Sequence, residues 1–238
     1  DFAAGAHTRN SQLSPARVAP NVWGMVLRKM LVFTYLEKDP ETPRMLLENQ
    51  PALILASSSP RRQELLRETG VAFQVHAAHV NEDQVSGERP LEYALRLARE
   101  KAQAVAAHYP QNYVLGADTI VVVDGEILGK PADHADAARM LRRLSARGHE
   151  VTTAVSLVAP GTRTETRACT TQVYFRKLTE DEIQLYAAGD EPMDKAGAYA
   201  IQGGASLWTD RIVGEFSNVV GLPLSLVTEM LRANGLLQ

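Results

Sequence analysis

At 238 residues, 45% apolar and 22% charged, the chain has the size and composition of one globular domain, two-lobed around a cleft at most, with a sizeable core. A formal net charge of −3 excludes a general nucleic-acid coat, which needs a basic balance, and the aromatics are few. The lone cysteine, Cys169, excludes an internal disulfide framework and a multi-cysteine zinc site. It suits a reducing cytosol and reads as a bystander thiol in a Thr-rich stretch.

Residues 1–50 differ from the rest. No acid occurs between Phe2 and Leu36, while Arg9, Arg17, Arg28 and Lys29 are scattered among Ser, Ala and Pro, a composition that faintly resembles an organellar transit peptide. This segment is expected to be a poorly ordered or artefactual extension without catalytic residues, ahead of a domain spanning 51–238. Its apolar stretch from Val18 to Leu36 is interrupted by Pro20, Asn21, Arg28 and Lys29, so no membrane span is expected.

Leu53–Ala56 reads as a buried strand. Ser59 then reads as a helix N-cap with Pro60 at the first helical position and Gly70 just past the end. Val71–Ala78 reads as a strand. Pro90 opens a helix to about His108, with an apolar stripe of Leu91, Leu95, Ala98, Ala102 and Val105. Tyr113–Val123 is the most strand-like stretch of the chain, and Asp124-Gly125 turns it into a return strand at Glu126–Leu128. Asp133 caps a helix to about Leu144. Val151–Val158 and Thr164–Phe175 form a hairpin across Pro160-Gly161. Thr179 and Glu182 make a capping box for a helix to about Ala188. Ala198–Gln202 and Ser206–Val213 read as strands, and a last helix begins at Pro223. Hairpins beside helix-separated strands predict an α/β domain with a mixed, strongly bent sheet and flanking helices.

Four segments carry chemistry. The helix start at Ser59 presents unpaired N–H groups, and Arg61 and Arg62 set two guanidinium forks beside it, which suits a polyphosphate. Asp118 interrupts an apolar strand, which is costly unless the acid is paired, binds a metal or holds a turn. Gly116 beside it lets a ligand approach the backbone closely. Lys130 ends the return strand, as a site cation or a solvated lysine. Asp194 and Lys195 place an acid beside a base on a Gly-flanked loop. Cations (Arg61, Arg62, Lys101, Lys130, Lys195) pooled with acids (Glu82, Asp118, Asp194) that could hold a divalent ion are the set that phosphoryl or nucleotidyl chemistry needs. No Walker A pattern is present.

The ordered segments SSSPRRQELL, LGADTIVV, LGKP, EPMDKAGAYAIQG and NVVGLPL resemble the Maf family of nucleoside triphosphate pyrophosphatases, over about residues 52–235. The resemblance implies an elongated two-lobed α/β fold with a central cleft, similar to the inosine triphosphate pyrophosphatases. It implies hydrolysis of a nucleoside triphosphate to monophosphate and pyrophosphate with Mg²⁺ or Mn²⁺, held by Asp118 with Glu82 or Asp194. Asp118 matches the family's catalytic acid. Arg61, Thr119 and Gln202 match positions that select the base, and Ser57, Arg62, Lys101, Lys130 and Lys195 match phosphate-binding positions of the cleft. Thr119, the Arg61-Arg62 pair and Gln202 look like the dTTP/UTP branch. Alternatives are a pyrophosphatase for 7-methyl-GTP or another modified nucleotide, and a nucleotide-binding regulator of cell division and septum formation. The implied setting is cytoplasmic, with a small nucleotide as partner, neither nucleic acid nor membrane, and a homodimer as the plausible assembly. Ala200, Gly203-Gly204-Ala205 and Glu215-Phe216 depart from the family pattern.

Overall fold

The computed structural model describes residues 53–238 apart from Thr162, so the expected extension at 1–50 lies outside the described residues. β1 (Leu53–Leu55) leads through the Ser57–Ser59 turn into α1 (Pro60–Glu68), and β2 (Phe73–Val75) follows. The Ser59 side chain accepts from the Arg62 N–H and Pro60 sits in the first turn, as the sequence predicts; Gly70, just past the helix, has φ +77°. α2 (Pro90–Ala106) crosses to the long β3 (Tyr113–Val123), whose Asp124-Gly125 turn, with φ positive at both residues, returns as β4 (Glu126–Leu128). Then come α3 (His134–Leu144), β5 (Gly148–Val158), β6 (Thr164–Phe175) and α4 (Glu180–Ala187). Two 3₁₀ turns at Ala196–Ala198 and Gly204–Trp208 precede β7 (Thr209–Val213), α5 (Phe216–Val220) and α6 (Leu224–Ala233).

The strands form one mixed sheet in the order β2-β1-β3-β5-β6-β7, with β4 also on β3. β1 runs parallel to β2 and β3, and every pairing from β3 to β7 is antiparallel. This is the expected α/β class. Among the described residues no helix is long and apolar enough to cross a membrane.

Several elements differ from the sequence reading, and the strand expected over Val71–Ala78 is confined to Phe73–Val75. Ala198–Gln202 is no strand, because Gly197 (φ +72°) and Ala198 (φ +58°) turn the backbone there. The predicted strand from Ser206 begins only at Thr209. Phe216–Val220, unassigned in the sequence, is a short helix. In α2 the buried positions are Ala94, Leu97, Ala98, Ala102 and Val105, while Leu91 is half exposed and Leu95 partly buried. At the N-terminal end of the helix Ala94 packs with Ile120 and Val122 of the sheet, and the 81–89 segment binds the helix alongside. Arg96 donates there to Glu88 and to the Asp83 carbonyl, and Tyr93 Oη donates to the Glu82 carbonyl at 2.7 Å.

β3 alternates between the two faces of the sheet. Val114, Ile120 and Val122 pack in the clusters formed with α2, and Leu115, Ala117, Val121 and Val123 pack in the main core on the other face. Gly116 lies on the α2 face, where a Cβ would stand 2.5 Å from the Ala98 carbonyl oxygen and 2.7 Å from the Ala102 nitrogen. The expectation that Gly116 admits a ligand is therefore corrected: it admits a helix. Gly116→Ala is expected to push α2 off the sheet and to cost about 1–3 kcal/mol in urea denaturation, with a fall in activity because α2 carries Lys101. Unchanged stability would mean that the contact relaxes freely.

His149 on β5 is 2% exposed and packs edge-on against Phe175 and Tyr199. Its Nε2 lies 2.8 Å from Tyr199 Oη, and its buried Nδ1 has no hydrogen-bond partner among the described residues. Burial lowers its pKa from 6.5 to about 4. The unfolded chain therefore takes up a proton near pH 6.5 that the folded chain refuses until about pH 4. Stability is full above 6.5 and lost as the pH falls toward 4. Between pH 7 and pH 4.5 this amounts to about 2 kcal/mol, and His149→Gln is expected to remove that part of the slope in urea melts. An identical slope in the variant would assign the acid sensitivity to other groups.

Candidate active site

The sheet is open where the acid sits. β5 pairs along one edge of β3 from Val114 to Val122. On the other edge β1 pairs only with Tyr113–Leu115 and β4 only with Val121–Val123. Gly116–Ile120 thus have no strand beside them on that side. The gap lies just beyond the carboxyl end of β1, where open α/β sheets place ligands. The Arg62 guanidinium partly fills it, its Nη1 donating to the Ala117 carbonyl at 3.0 Å. A cavity of about 610 Å³ opens over the gap, and every candidate site residue of the sequence lines it.

Alternation sends the neighbours Asp118 and Thr119 to opposite faces of β3. Asp118, 7% exposed, turns toward α2, where Lys101 Nζ donates to its Oδ1 at 2.7 Å. The same Nζ stands 2.7 Å from Glu82 Oε1. Burial opposes the charge on Glu82, but the hydrogen bond and charge of Lys101, aided by Lys130 and Arg62, outweigh it and hold the carboxyl below its ordinary range. Asp118 Oδ2 has no partner among the described residues.

Thr119 turns the other way. Arg62 Nη2 donates to its Oγ1 at 2.9 Å, and Thr153 Oγ1 of β5 lies 3.0 Å from it. Arg62 also donates from Nε to the Gly221 carbonyl at 2.8 Å and from Nη1 to Ser57 Oγ at 3.4 Å. Four of its five N–H groups are therefore committed within the protein, which leaves one on Nη2 for a ligand. Burial pulls its pKa below the usual value, against the charges of Asp118 and Glu82. Arg61 is freer: its nearest acid is Asp194, 3.7 Å away. Ser57, nearly buried, also accepts from the Ser59 N–H.

The remaining candidates lie on two loops joined by the Gly197 N–H donating to the Gly129 carbonyl at 3.0 Å. Gly197 needs its positive φ, and a Cβ there would stand 3.0 Å from the Val121 side chain, so the loop rests directly on β3. Lys195 folds back on its own loop, donating to Asp194 and to the Glu191 carbonyl at 2.6 Å. Burial opposes the Asp194 charge, but Lys195 and Arg61 outweigh it and lower its pKa. Lys130 and Gln202 are exposed, and among the described residues their side chains make no hydrogen bond or ion pair.

Several residues that build this site are not among the candidate site residues of the sequence. Tyr186 Oη donates to Glu191 Oε1 at 2.7 Å and accepts from the Ala200 N–H, and Glu191 Oε1 accepts from the Gly204 N–H. These bonds strap the segment that carries Gln202. A Cβ on Gly203 would fall 2.0 Å from Glu191 Oε1, and one on Gly204 would crowd the Tyr186 ring at 3.0 Å, which accounts for small residues here. Asn218, fully buried, joins β5, β6 and α5. Glu215, another departure from the family pattern, accepts from the Ser225 N–H in the first turn of α6. Glu191 and Asn218 open the segments EPMDKAGAYAIQG and NVVGLPL, but nothing local marks what they touch, and Tyr186 leaves no trace in the sequence.

The carboxylate pair Glu82 and Asp118 meets on one cation, Lys101 Nζ, so both can reach a shared positive ion. Asp194 stands apart from that pair, with Arg61 and Lys195. Among the described residues no group of three His, Cys, Asp or Glu side chains is arranged to hold a metal. Two hard carboxylates fit an ion of the Mg²⁺ type, which takes one or two carboxylates and completes its shell with substrate phosphates and water.

Residues 52–234 match the family model described as Maf-like protein. The chain is 55% identical over 186 residues to the dTTP/UTP pyrophosphatase of Koribacter versatilis (strain Ellin345), covering 78% of this chain and 95% of that protein. It is 54% identical over 183 residues to the dTTP/UTP pyrophosphatase of Symbiobacterium thermophilum, covering 77% of this chain and 94% of that one. Among solved structures, the Staphylococcus aureus Ham1 protein aligns at 16% identity with a TM-score of 0.44, over 77% of this chain and 99% of that chain. The identity to curated relatives over most of their length, with the family match from β1 through α6, means that this chain belongs to the Maf-like protein family.

Proposed function

We propose that the chain hydrolyses dTTP and UTP to the nucleoside monophosphate and pyrophosphate, in the cytoplasmic nucleotide pool. The names of the relatives support this reading, and the observation that carries it is the placement of Asp118: a nearly buried carboxylate in a gap of the sheet, at the floor of a cavity lined by five basic side chains. Such a cavity attracts a polyphosphate and concentrates positive charge where the leaving pyrophosphate develops negative charge.

Asp118 Oδ1 is held by Lys101, and Oδ2 accepts the proton of a water whose oxygen attacks the α-phosphorus. The new bond joins that oxygen to phosphorus, the bond from the α-phosphorus to the bridging oxygen breaks, and pyrophosphate leaves. Arg61, Lys130, Lys195 and the last N–H of Arg62 bind the phosphates, with Ser57 beside them. Thr119 and Gln202 meet the pyrimidine edge. Glu82 and Asp118 would hold Mg²⁺ or Mn²⁺, which when bound adds positive charge at the phosphate oxygens.

The test is a panel of dTTP, UTP, CTP, GTP and 7-methyl-GTP with malachite-green detection. Phosphate is expected from dTTP and UTP only after inorganic pyrophosphatase is added. Phosphate without that enzyme would mean cleavage at the terminal phosphate, and a preference for GTP or 7-methyl-GTP would overturn the substrate class.

A further inference from the structure

Lys195 and Gln202 line the cavity from a stretch of chain that belongs to no strand, and one acid outside the cavity holds both of them in place. The main-chain carbonyl of Glu191 accepts from Lys195 Nζ at 2.6 Å. Its side-chain Oε1 accepts from the Gly204 N–H at 3.2 Å and from Tyr186 Oη at 2.7 Å. An ionised carboxylate only accepts, so Tyr186 commits its one proton to that bond and keeps its lone pairs. The Ala200 N–H donates to one of them at 3.0 Å. The two backbone N–H groups taken in this way, at 200 and 204, lie on either side of Gln202. The turn between them closes through the Gly203 N–H on the Ala200 carbonyl, also at 3.0 Å.

The anchor of this strap is fixed. Tyr186 belongs to α4, and its ring meets the buried Trp208 edge-on, with centroids 4.7 Å apart. Neither Tyr186 nor Glu191 lines the cavity. The Glu191 carboxylate makes no ion pair among the described residues: both donors to Oε1 are neutral, and Oε2 accepts from none of them. Its negative charge has no partner in this arrangement. The strap uses one acceptor oxygen and no more.

We propose that Tyr186 and Glu191 are positioning residues that set where Lys195 and Gln202 stand in the cavity, with Glu191 acting as a plain acceptor and taking no part in proton transfer or in holding a metal. This rests on the reading of Lys195 and Gln202 as groups that contact the nucleotide. Asp118 and Lys101 stand on β3 and α2, which these hydrogen bonds do not reach. Loosening the strap therefore weakens binding more than it slows the chemical step.

The test measures KM and kcat for dTTP, and Kd for pyrophosphate by calorimetry, in the wild type, Tyr186→Phe, Glu191→Ala and Glu191→Gln, with thermal melts alongside. Phenylalanine removes both hydrogen bonds of the tyrosine and alanine removes both of the carboxylate, so each is expected to raise KM and Kd by about tenfold, with a smaller change in kcat. Glutamine keeps an acceptor Oε1 without the charge and is expected to restore KM and Kd to within about threefold of the wild type. If the strap only supports the fold, Tyr186→Phe and Glu191→Ala melt earlier at unaltered KM and Kd, and that result overturns the proposal. A glutamine variant as impaired as the alanine one also overturns it, because the charge would then matter. Should the first two variants not fold, Glu191→Gln still decides by this criterion. Absence of dTTP hydrolysis in the wild type would instead overturn the pyrophosphatase reading, and the pyrophosphate Kd would still read the strap.

Discussion

Asp118→Asn is expected to lower kcat for dTTP by about two to four orders of magnitude while leaving the fold intact. Asparagine keeps the shape of the side chain and an oxygen that can accept from Lys101 Nζ. It removes both the negative charge and the basicity of Oδ2. The fold is expected to survive because Lys101 retains Glu82 at 2.7 Å, so no buried ammonium is left without a carboxylate. A melting temperature within a few degrees of the wild type, with activity nearly gone, separates this outcome from misfolding. Glu82→Gln provides the contrast. Glu82 is half exposed, and Lys101 keeps its contact with Asp118 when Glu82 is neutralised. A smaller loss of kcat and a higher Mg²⁺ or Mn²⁺ requirement are expected for it. Near-normal turnover by Asp118→Asn would remove that carboxylate from the chemistry altogether.

What the sequence made legible is what leaves a local trace. The cap at Ser59, the turn at Asp124-Gly125, the capping box at Thr179 and the helix from Asp133 depend on residues within a few positions of one another, and each is found. Asp118 stands out because a charge inside an apolar run has no local excuse. The parts that stayed hidden are made by distant side chains. Thr153, Asn218 and Gly221 converge on Thr119 and Arg62 from positions well separated along the chain, and nothing in a Thr-rich strand marks which threonine faces inward. Helix α5, Phe216–Val220, is too short to show a period. Gly116 advertises a close approach without naming the partner, and the partner is Ala98 and Ala102 of α2. Ala198–Gln202 looks like a strand by composition, yet Tyr186 binds the Ala200 N–H, and Glu191 the Gly204 N–H just beyond, in a loop that no periodicity encodes.

Adjacent arginines that read alike in the sequence have separable jobs, and this sets the second large effect. Arg62→Lys is expected to destabilise the protein by on the order of 3 kcal/mol, whereas Arg61→Lys is expected to cost less than about 1 kcal/mol. Arg62 holds three parts of the molecule at once: the Ala117 carbonyl in the gap of β3, the Gly221 carbonyl after α5, and the Thr119 hydroxyl. A lysine ammonium is one point with three donors and cannot span that fork. At least one carbonyl would then stay unpaired, and Thr119 would lose the Nη2–H donor that pins its oxygen. Arg61 is partly exposed and its one ion pair, with Asp194, is long at 3.7 Å. Its replacement should leave the urea midpoint nearly unchanged and raise KM for the triphosphate. The two variants therefore move different observables, stability with activity for Arg62 and substrate binding alone for Arg61. Equal stability losses in urea melts would contradict this division. It follows from the geometry of the gap: the interrupted edge of β3 exposes the Ala117 carbonyl beside Asp118, and a guanidinium that satisfies this carbonyl cannot also be spent in full on phosphate.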